Sequence, residues 1–144
     1  MKRYELGFPG PLRDRLVAAV LGGAKTATTG LLAGYLAADE PLPTPGERWL
    51  LVDSAERPVA ELEITEVRVV PLGAVDLAHA LAEGEGHTDL AAWRADHEAF
   101  WHGPDSRAEL GDPAFTVDDT TEVVLERFRV LRRLTAPTDQ PAPG

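Results

Sequence analysis

Apolar residues first recur at helical spacing over residues 11–22, where Leu12, Leu16, Val17 and Val20 make one stripe. Arg13, Asp14 and Arg15 are expected on the outward face. Pro11 suits a first helical turn, where its missing N–H would have no partner anyway. Gly22-Gly23 stops the helix. Residues 31–46 read as an irregular connector, closed by Pro41, Pro43, Pro45 and Gly46. Alternation then predicts strands over 48–53 and 59–70, joined by a turn at 54–57. In the second, Glu61 and Glu63 alternate with Leu62 and Ile64, after which the apolar positions change parity to Val67 and Val69. Side chains alternate with period 2 along a strand, so the change predicts a bulge or bend near Thr65-Glu66. A strongly bent strand suits a small closed barrel.

Beyond Pro71-Leu72-Gly73, Asp76 is a plausible cap for a short helix carrying Leu77, Ala78, Leu81 and Ala82 on its packed side. Thr88 is the expected cap of a second helix, with Asp89 in its first turn and Leu90, Trp93, His97, Phe100 and Trp101 on one stripe. Gly103-Pro104 breaks that helix, and a polar loop leads to a last strand over about 121–131. The expected fold is one α+β domain over 1–134, a small, bent, mostly antiparallel barrel with helices packed on one side. Residues 135–144 hold three prolines and little that packs, and are expected to be disordered.

Composition narrows the chemistry. The chain has no cysteine, which excludes thiolate metal sites and any disulfide-linked partner. It has no apolar run of membrane-span length and no apolar segment after its N-terminal charges, so a cytoplasmic location and no membrane partner are expected. The formal net charge of −10 argues against tight, sequence-blind binding of nucleic acid, which draws on a basic surface. A nucleic-acid role would need a local positive pocket or a small ligand.

Such a pocket has one candidate centre, Gly22-Gly23-Ala24-Lys25-Thr26-Ala27-Thr28-Thr29-Gly30. Lys2 and Lys25 are the only lysines in a chain that otherwise uses arginine. A lysine can lose its proton when desolvated and an arginine cannot. The P-loop is excluded, because Ala24 precedes Lys25, Ala19 stands where a glycine belongs, and a helix rather than a strand leads in. His97 and His102 are five apart, one too many for a zinc-protease helix. No nucleophile elbow and no dinucleotide fingerprint is present. What remains is a lysine, hydroxyls and carboxylates. Thr28 or Thr29 is a candidate nucleophile with Lys25 as its base, and Glu83 or Glu85, on the glycine-spaced turn Glu83-Gly84-Glu85-Gly86-His87, is a candidate acid or a holder of the lysine. Tyr35, five residues past Gly30, is a candidate lining of the same pocket, although a packing role is the plainer reading. Arg94 offers a fork to an oxygen, His97 is a core or ligand-facing imidazole, and Trp49 and Trp101 read as core.

In order along the chain, Gly23-Ala24-Lys25-Thr26-Ala27-Thr28, Pro45-Gly46 leading to Val52-Asp53, Glu83-Gly84-Glu85-Gly86 with Trp93-Arg94 and His97, and Glu126-Arg127-Phe128 resemble the ASCH-domain family. The resemblance spans about Leu12 to Leu131. It implies a fold like the PUA domain and a cleft, lined by the lysine loop, that binds RNA or a modified nucleoside or nucleotide. It also implies a possible chemistry, since some small bacterial members are amidohydrolases that deacetylate N4-acetylcytidine with a lysine, a threonine three residues later and a glutamate. Those three fall on Lys25, Thr28 and Glu85, with Glu83 the fallback, while Thr26, Thr29, Tyr35, Glu83, Trp93, Arg94 and His97 would contact the ligand. Under this reading Thr28 attacks, Lys25 is the base and Glu85 shuttles the proton. The shorter enzymes carry an Ile-Arg pair where this chain has Thr29-Gly30, which bears on the substrate. A non-catalytic binding module and a ribonuclease using His87 or His97 are the alternatives. No cofactor or metal is expected.

Overall fold

A computed structural model describes residues 1–134 of the chain. The expectation of a disordered tail falls on residues 135–144 and lies outside the described residues. In chain order the elements are β1 (Lys2–Tyr4), α1 (Pro11–Leu21), β2 (Ala27–Leu31), α2 (Leu32–Ala37), β3 (Arg48–Val52), β4 (Pro58–Pro71), a 3-10 turn (Leu72–Ala74), α3 (Leu77–Ala82), α4 (Leu90–Trp101), α5 (Pro104–Leu110) and β5 (Glu122–Arg133). The fold is α+β. The strands form one mixed sheet in the order β1-β3-β4-β5-β2, in which β1 runs parallel to β3 and every other pair is antiparallel.

The parity change in the long strand is structural. The β4–β5 register shifts between Ile64 and Glu66, and this bulge divides the sheet. Before it, β4 pairs with β3; beyond it, the facing part of β5 pairs with β2. Two apolar clusters follow from that division. Val17 and Val20 of α1 pack with Tyr4, Trp49, Leu51, Leu62, Ile64 and Phe128. Ala80 of α3 and Trp93 and Trp101 of α4 pack with Leu31, Leu72, Val123 and Leu125.

The sheet is curled but not closed. Strands three places apart in a flat sheet lie about 14 Å apart, yet the Tyr4 hydroxyl on β1 reaches Glu126 on β5 at 2.7 Å. The closed barrel expected from the bent strand does not form, because β1 and β2 end the sheet and do not pair with each other. Both edges line one cleft of about 1030 Å³. The space that would have sealed a barrel is the space available to a ligand.

Other local expectations give way to tertiary packing. The connector over 31–46 begins with the end of β2 and all of α2. Arg13 is 2% exposed, not outward, because its guanidinium bonds the carbonyls of Leu6 and Gly7 and the Glu56 carboxylate. Asp76 does cap α3, accepting from the His79 amide. That helix, however, buries His79 and Ala80 and leaves Leu77 and Leu81 outside. Asp89, not Thr88, caps α4, its carboxylate accepting from the Ala92 amide at 2.7 Å. Pro104 ends one helix and opens another, α5, at its first turn. Among the described residues no helix is long and apolar enough to cross a membrane.

Candidate functional site

The glycine-flanked lysine loop and the acidic loop meet. The Thr26 amide donates to the Ala82 carbonyl at 2.8 Å, and its hydroxyl bonds the same oxygen. Gly84 makes the approach possible: its φ is +64°, and a Cβ there would stand 2.1 Å from the Ala24 carbonyl oxygen. No other residue fits this crossing. The Lys25 side chain, 2% exposed, runs between the loops. Its ammonium donates to the Ala27 carbonyl (2.8 Å), the Glu85 carboxylate (3.0 Å) and, more weakly, the Glu83 carbonyl (3.4 Å). Three oxygens match the three donors of an ammonium. Among the described residues no hydrogen bond joins this nitrogen to the Thr28 hydroxyl.

Behind Lys25 lies a donor-rich nest around Glu83, which is 0% exposed. The Thr29 hydroxyl donates to Oε2 at 2.5 Å and the Trp93 indole N–H at 3.0 Å, while His79 Nε2 stands 3.1 Å away. His97 Nε2 lies 3.1 Å from Oε1, and its Nδ1 lies 2.8 Å from the Trp93 carbonyl. An imidazolium with two N–H donors fits between those two oxygens. Burial alone would raise the Glu83 pKa. The bonds from His79 and His97, with the charges of His97 and Lys25, reverse that and hold it far below the carboxylate range. Burial lowers His97, but the bond to Glu83 and its charge win, and the net shift is upward. Glu85 is pushed up by burial against the pull of Lys25, with Glu83 adding to the rise. The nest thus holds one carboxyl whose surroundings favour the anion and, at the cleft wall, one whose burial favours the proton.

The opposite part of the cleft is built differently. Thr28 faces Glu126 across the β2–β5 ladder. Glu126 is 2% exposed and, among the described residues, has no cation at either oxygen. Tyr4 donates to Oε1 at 2.7 Å and Tyr35 to Oε2 at 2.5 Å. Burial raises the Glu126 pKa, the two phenol bonds oppose it, and the balance stays upward. Both phenols are themselves pushed up by burial and by the carboxylate, so they remain donors.

The candidate residues therefore divide. Thr28, Thr29, Tyr35, Glu83, Glu85 and His97 line the cleft, and Lys25 stands directly behind Glu85. Thr26 is spent on the loop crossing. Trp93 is enclosed, stacked on His97 with ring centroids 4.2 Å apart, and shows no face to a ligand. Arg94 is tied to Glu98 and Asp119 and is not part of the cleft. Donor atoms of Glu83, Glu85 and His97 lie within 4.8 Å of one another, as in a metal site. The Lys25 ammonium already supplies the positive charge there. Sequence reasoning missed Tyr4, His79 and Glu126 as parts of the site. Glu126 had a signal, since Val124, Glu126 and Phe128 share one strand face and only Glu126 is polar.

A family model described as the ASCH domain matches residues 4–132. The chain belongs to the ASCH-domain family. Among solved structures, it is similar to protein EF3133 from Enterococcus faecalis V583, assigned to family model DUF984, with TM-score 0.83 and 24% identity over 100% of this chain and 84% of that one. It is also similar to an ASCH domain from Lactobacillus crispatus JV V101, with TM-score 0.76 and 26% identity over 90% and 78% of the two chains. A tyrosine-to-phenylalanine mutant of ZmASCH from Zymomonas mobilis shares the fold more loosely, with TM-score 0.50 and 10% identity over 88% and 72%. No curated protein matches the sequence. These neighbours fit a PUA-like fold, in a form whose sheet is open in this chain.

Proposed function

We propose that this ASCH domain binds a modified nucleoside in the cleft between its sheet edges and hydrolyses an amide on the base, as in N4-acetylcytidine. One observation carries the reading: the Lys25 nitrogen and a Glu85 carboxyl oxygen, sixty positions apart in the chain, stand 3.0 Å apart at the wall of a cleft that Thr28 also lines. Thr28 attacks the amide carbonyl carbon through Oγ1. Glu85, its carboxyl raised by burial, gives a proton to the leaving amine. Lys25 holds Glu85 in position as a fixed ammonium. Water then cleaves the acyl–threonine ester. The lining favours a nucleoside over a longer RNA, because Glu5, Glu40, Glu56, Glu109 and Asp96 join the three inner carboxylates around the cleft and outnumber its arginines, Arg3, Arg13 and Arg15, the first two of which are paired with Glu56. A polyanion would meet repulsion there.

The purified protein is expected to release cytidine from N4-acetylcytidine. Thr28→Val should reduce turnover by about 100-fold or more while much of the nucleoside binding remains. No cytidine from the wild type would exclude this substrate. Full turnover in Thr28→Val would exclude the nucleophile, and binding without turnover in the wild type would favour a non-catalytic module. A ribonuclease reading has one observation in its favour, because His87 and His97 both line the cleft with ring centroids 6.3 Å apart. Degradation of a short RNA that is lost in His97→Asn would support it.

A further inference from the structure

Glu126 is costly where it stands. A carboxylate taken out of water needs a cation or an equivalent set of donors. This chain has twelve arginines elsewhere but, among the described residues, places none against Glu126. The alternative at this position is visible in its own strand, where Val124 and Phe128 on the same face are buried hydrocarbon. A buried carboxyl inside a cleft, held by two phenols and no cation, is the kind of group retained for chemistry.

Its position says which chemistry. Thr28 and Glu126 are directly opposed on antiparallel strands, so their Cβ atoms lie about 5 Å apart on the same face, and both line the cleft. Among the described residues, the Thr28 hydroxyl makes no side-chain hydrogen bond. Lys25, the other candidate acceptor, has its three donors engaged with oxygens. Each Glu126 oxygen accepts one phenol and keeps a second lone pair. We propose that Glu126 is the proton acceptor for Thr28, with Tyr4 and Tyr35 as positioning residues that hold the carboxylate, one at each oxygen. This rests on the reading of Thr28 as nucleophile.

The two carboxyls then divide the proton traffic. In acylation the Thr28 oxygen bonds the carbonyl carbon and its proton passes to Glu126. The carbon–nitrogen bond breaks as the Glu85 proton passes to the amine. In deacylation water attacks the ester and loses its proton to Glu85. The bond from carbon to Thr28 breaks, and Glu126 returns the proton to the threonine oxygen. Amide and water become amine and carboxylic acid, and both residues end as they began.

The groups facing Glu126 are few, which makes its titration readable. β1 presents Tyr4, α2 presents Tyr35, β2 presents Thr28 and β4 presents Val67, while Glu40 acts on Tyr35 from beyond. The test uses p-nitrophenyl acetate with the full-length protein, following nitrophenolate release and mapping acetyl transfer to Thr28 by mass spectrometry. The wild type is expected to acetylate Thr28 with a rate that rises with pH through one midpoint. Glu126→Gln should lower that rate by about 100-fold or more. Tyr35→Phe removes a bond that favours the charged carboxylate, so the midpoint should move to higher pH. If Glu126→Gln does not fold, the Tyr35→Phe midpoint decides alone. Acetylation at the wild-type rate in Glu126→Gln, an unmoved midpoint in Tyr35→Phe, or no acetyl group on wild-type Thr28 would each overturn the proposal. The ester contains no nucleoside, so failure to hydrolyse N4-acetylcytidine would leave this outcome standing and would count against the substrate alone.

Discussion

Glu83 and Glu126 are two carboxylates of one cleft, equally removed from water, and their charge states are pushed in opposite directions. Glu83 is surrounded by a lysine, two histidines, an indole N–H and a hydroxyl. Glu126 has two phenols. Burial penalises both anions alike. What differs is whether the donors around them carry charge, and that difference is large enough to reverse the sign of the shift. The comparison separates a carboxylate held by charged donors, which favour its anion, from one held by neutral donors, whose burial favours the proton.

The largest effect that would break this contrast is on folding. Glu83→Ala removes the buried anion that the Thr29, His79, Trp93 and His97 donors share, and is expected to destabilise the fold by about 3–5 kcal/mol in urea titrations at pH 7. Glu126→Gln keeps an acceptor for one phenol and should cost only about 1 kcal/mol. Equal losses would mean that the two carboxylates do the same job.

Between these lies the indole bond. Trp93→Phe keeps the ring in the apolar cluster but removes the N–H aimed at Glu83. A hydrogen bond to a charged group contributes roughly 1.5–3 kcal/mol, and the loss should fall in that range. A smaller loss would show that the histidines and Lys25 hold Glu83 without help.

The smallest effect is the slope of stability with pH, and its sign distinguishes the pair. The folded-state pKa of Glu83 is depressed below the ordinary 4.5, so its stabilisation is complete above that value and is lost as pH falls below it. The folded-state pKa of Glu126 is raised above 4.5, so the neutral form is the one the fold prefers. That contribution is complete below 4.5 and is lost as pH rises through the folded value. Glu83→Gln should therefore flatten the acid side of the stability profile, and Glu126→Gln the stretch above 4.5. Profiles with both changes on the same side would refute the assignment.

How much of this could be read in advance depends on how local the cause is. The ends of α1 were legible, since Pro11 and Gly22-Gly23 act within one turn. The bulge after Ile64 was legible because strand parity is a local count. The short edge strands β1 and β2 were not. Three and five residues make no pattern of their own, and they become strands only when β3 and β5 supply a ladder. Arg13 looked solvent-facing because helical spacing knows nothing of the Leu6 and Gly7 carbonyls that turn back over it.

The site divides in the same way. The sequence alone singled out a lysine loop and a glycine-spaced acidic turn as candidates, because glycine spacing and residue type are local properties. It could not rank Glu83 against Glu85, since two glutamates of one turn differ only in what they face. Nor could it show that Glu126 belongs to the cleft. Its partners lie 122 and 91 positions away, and only the curl of the sheet brings those phenols to it. Charge at a buried carboxylate is set by neighbours within a few ångströms, and which neighbours those are is a property of the closed chain in three dimensions.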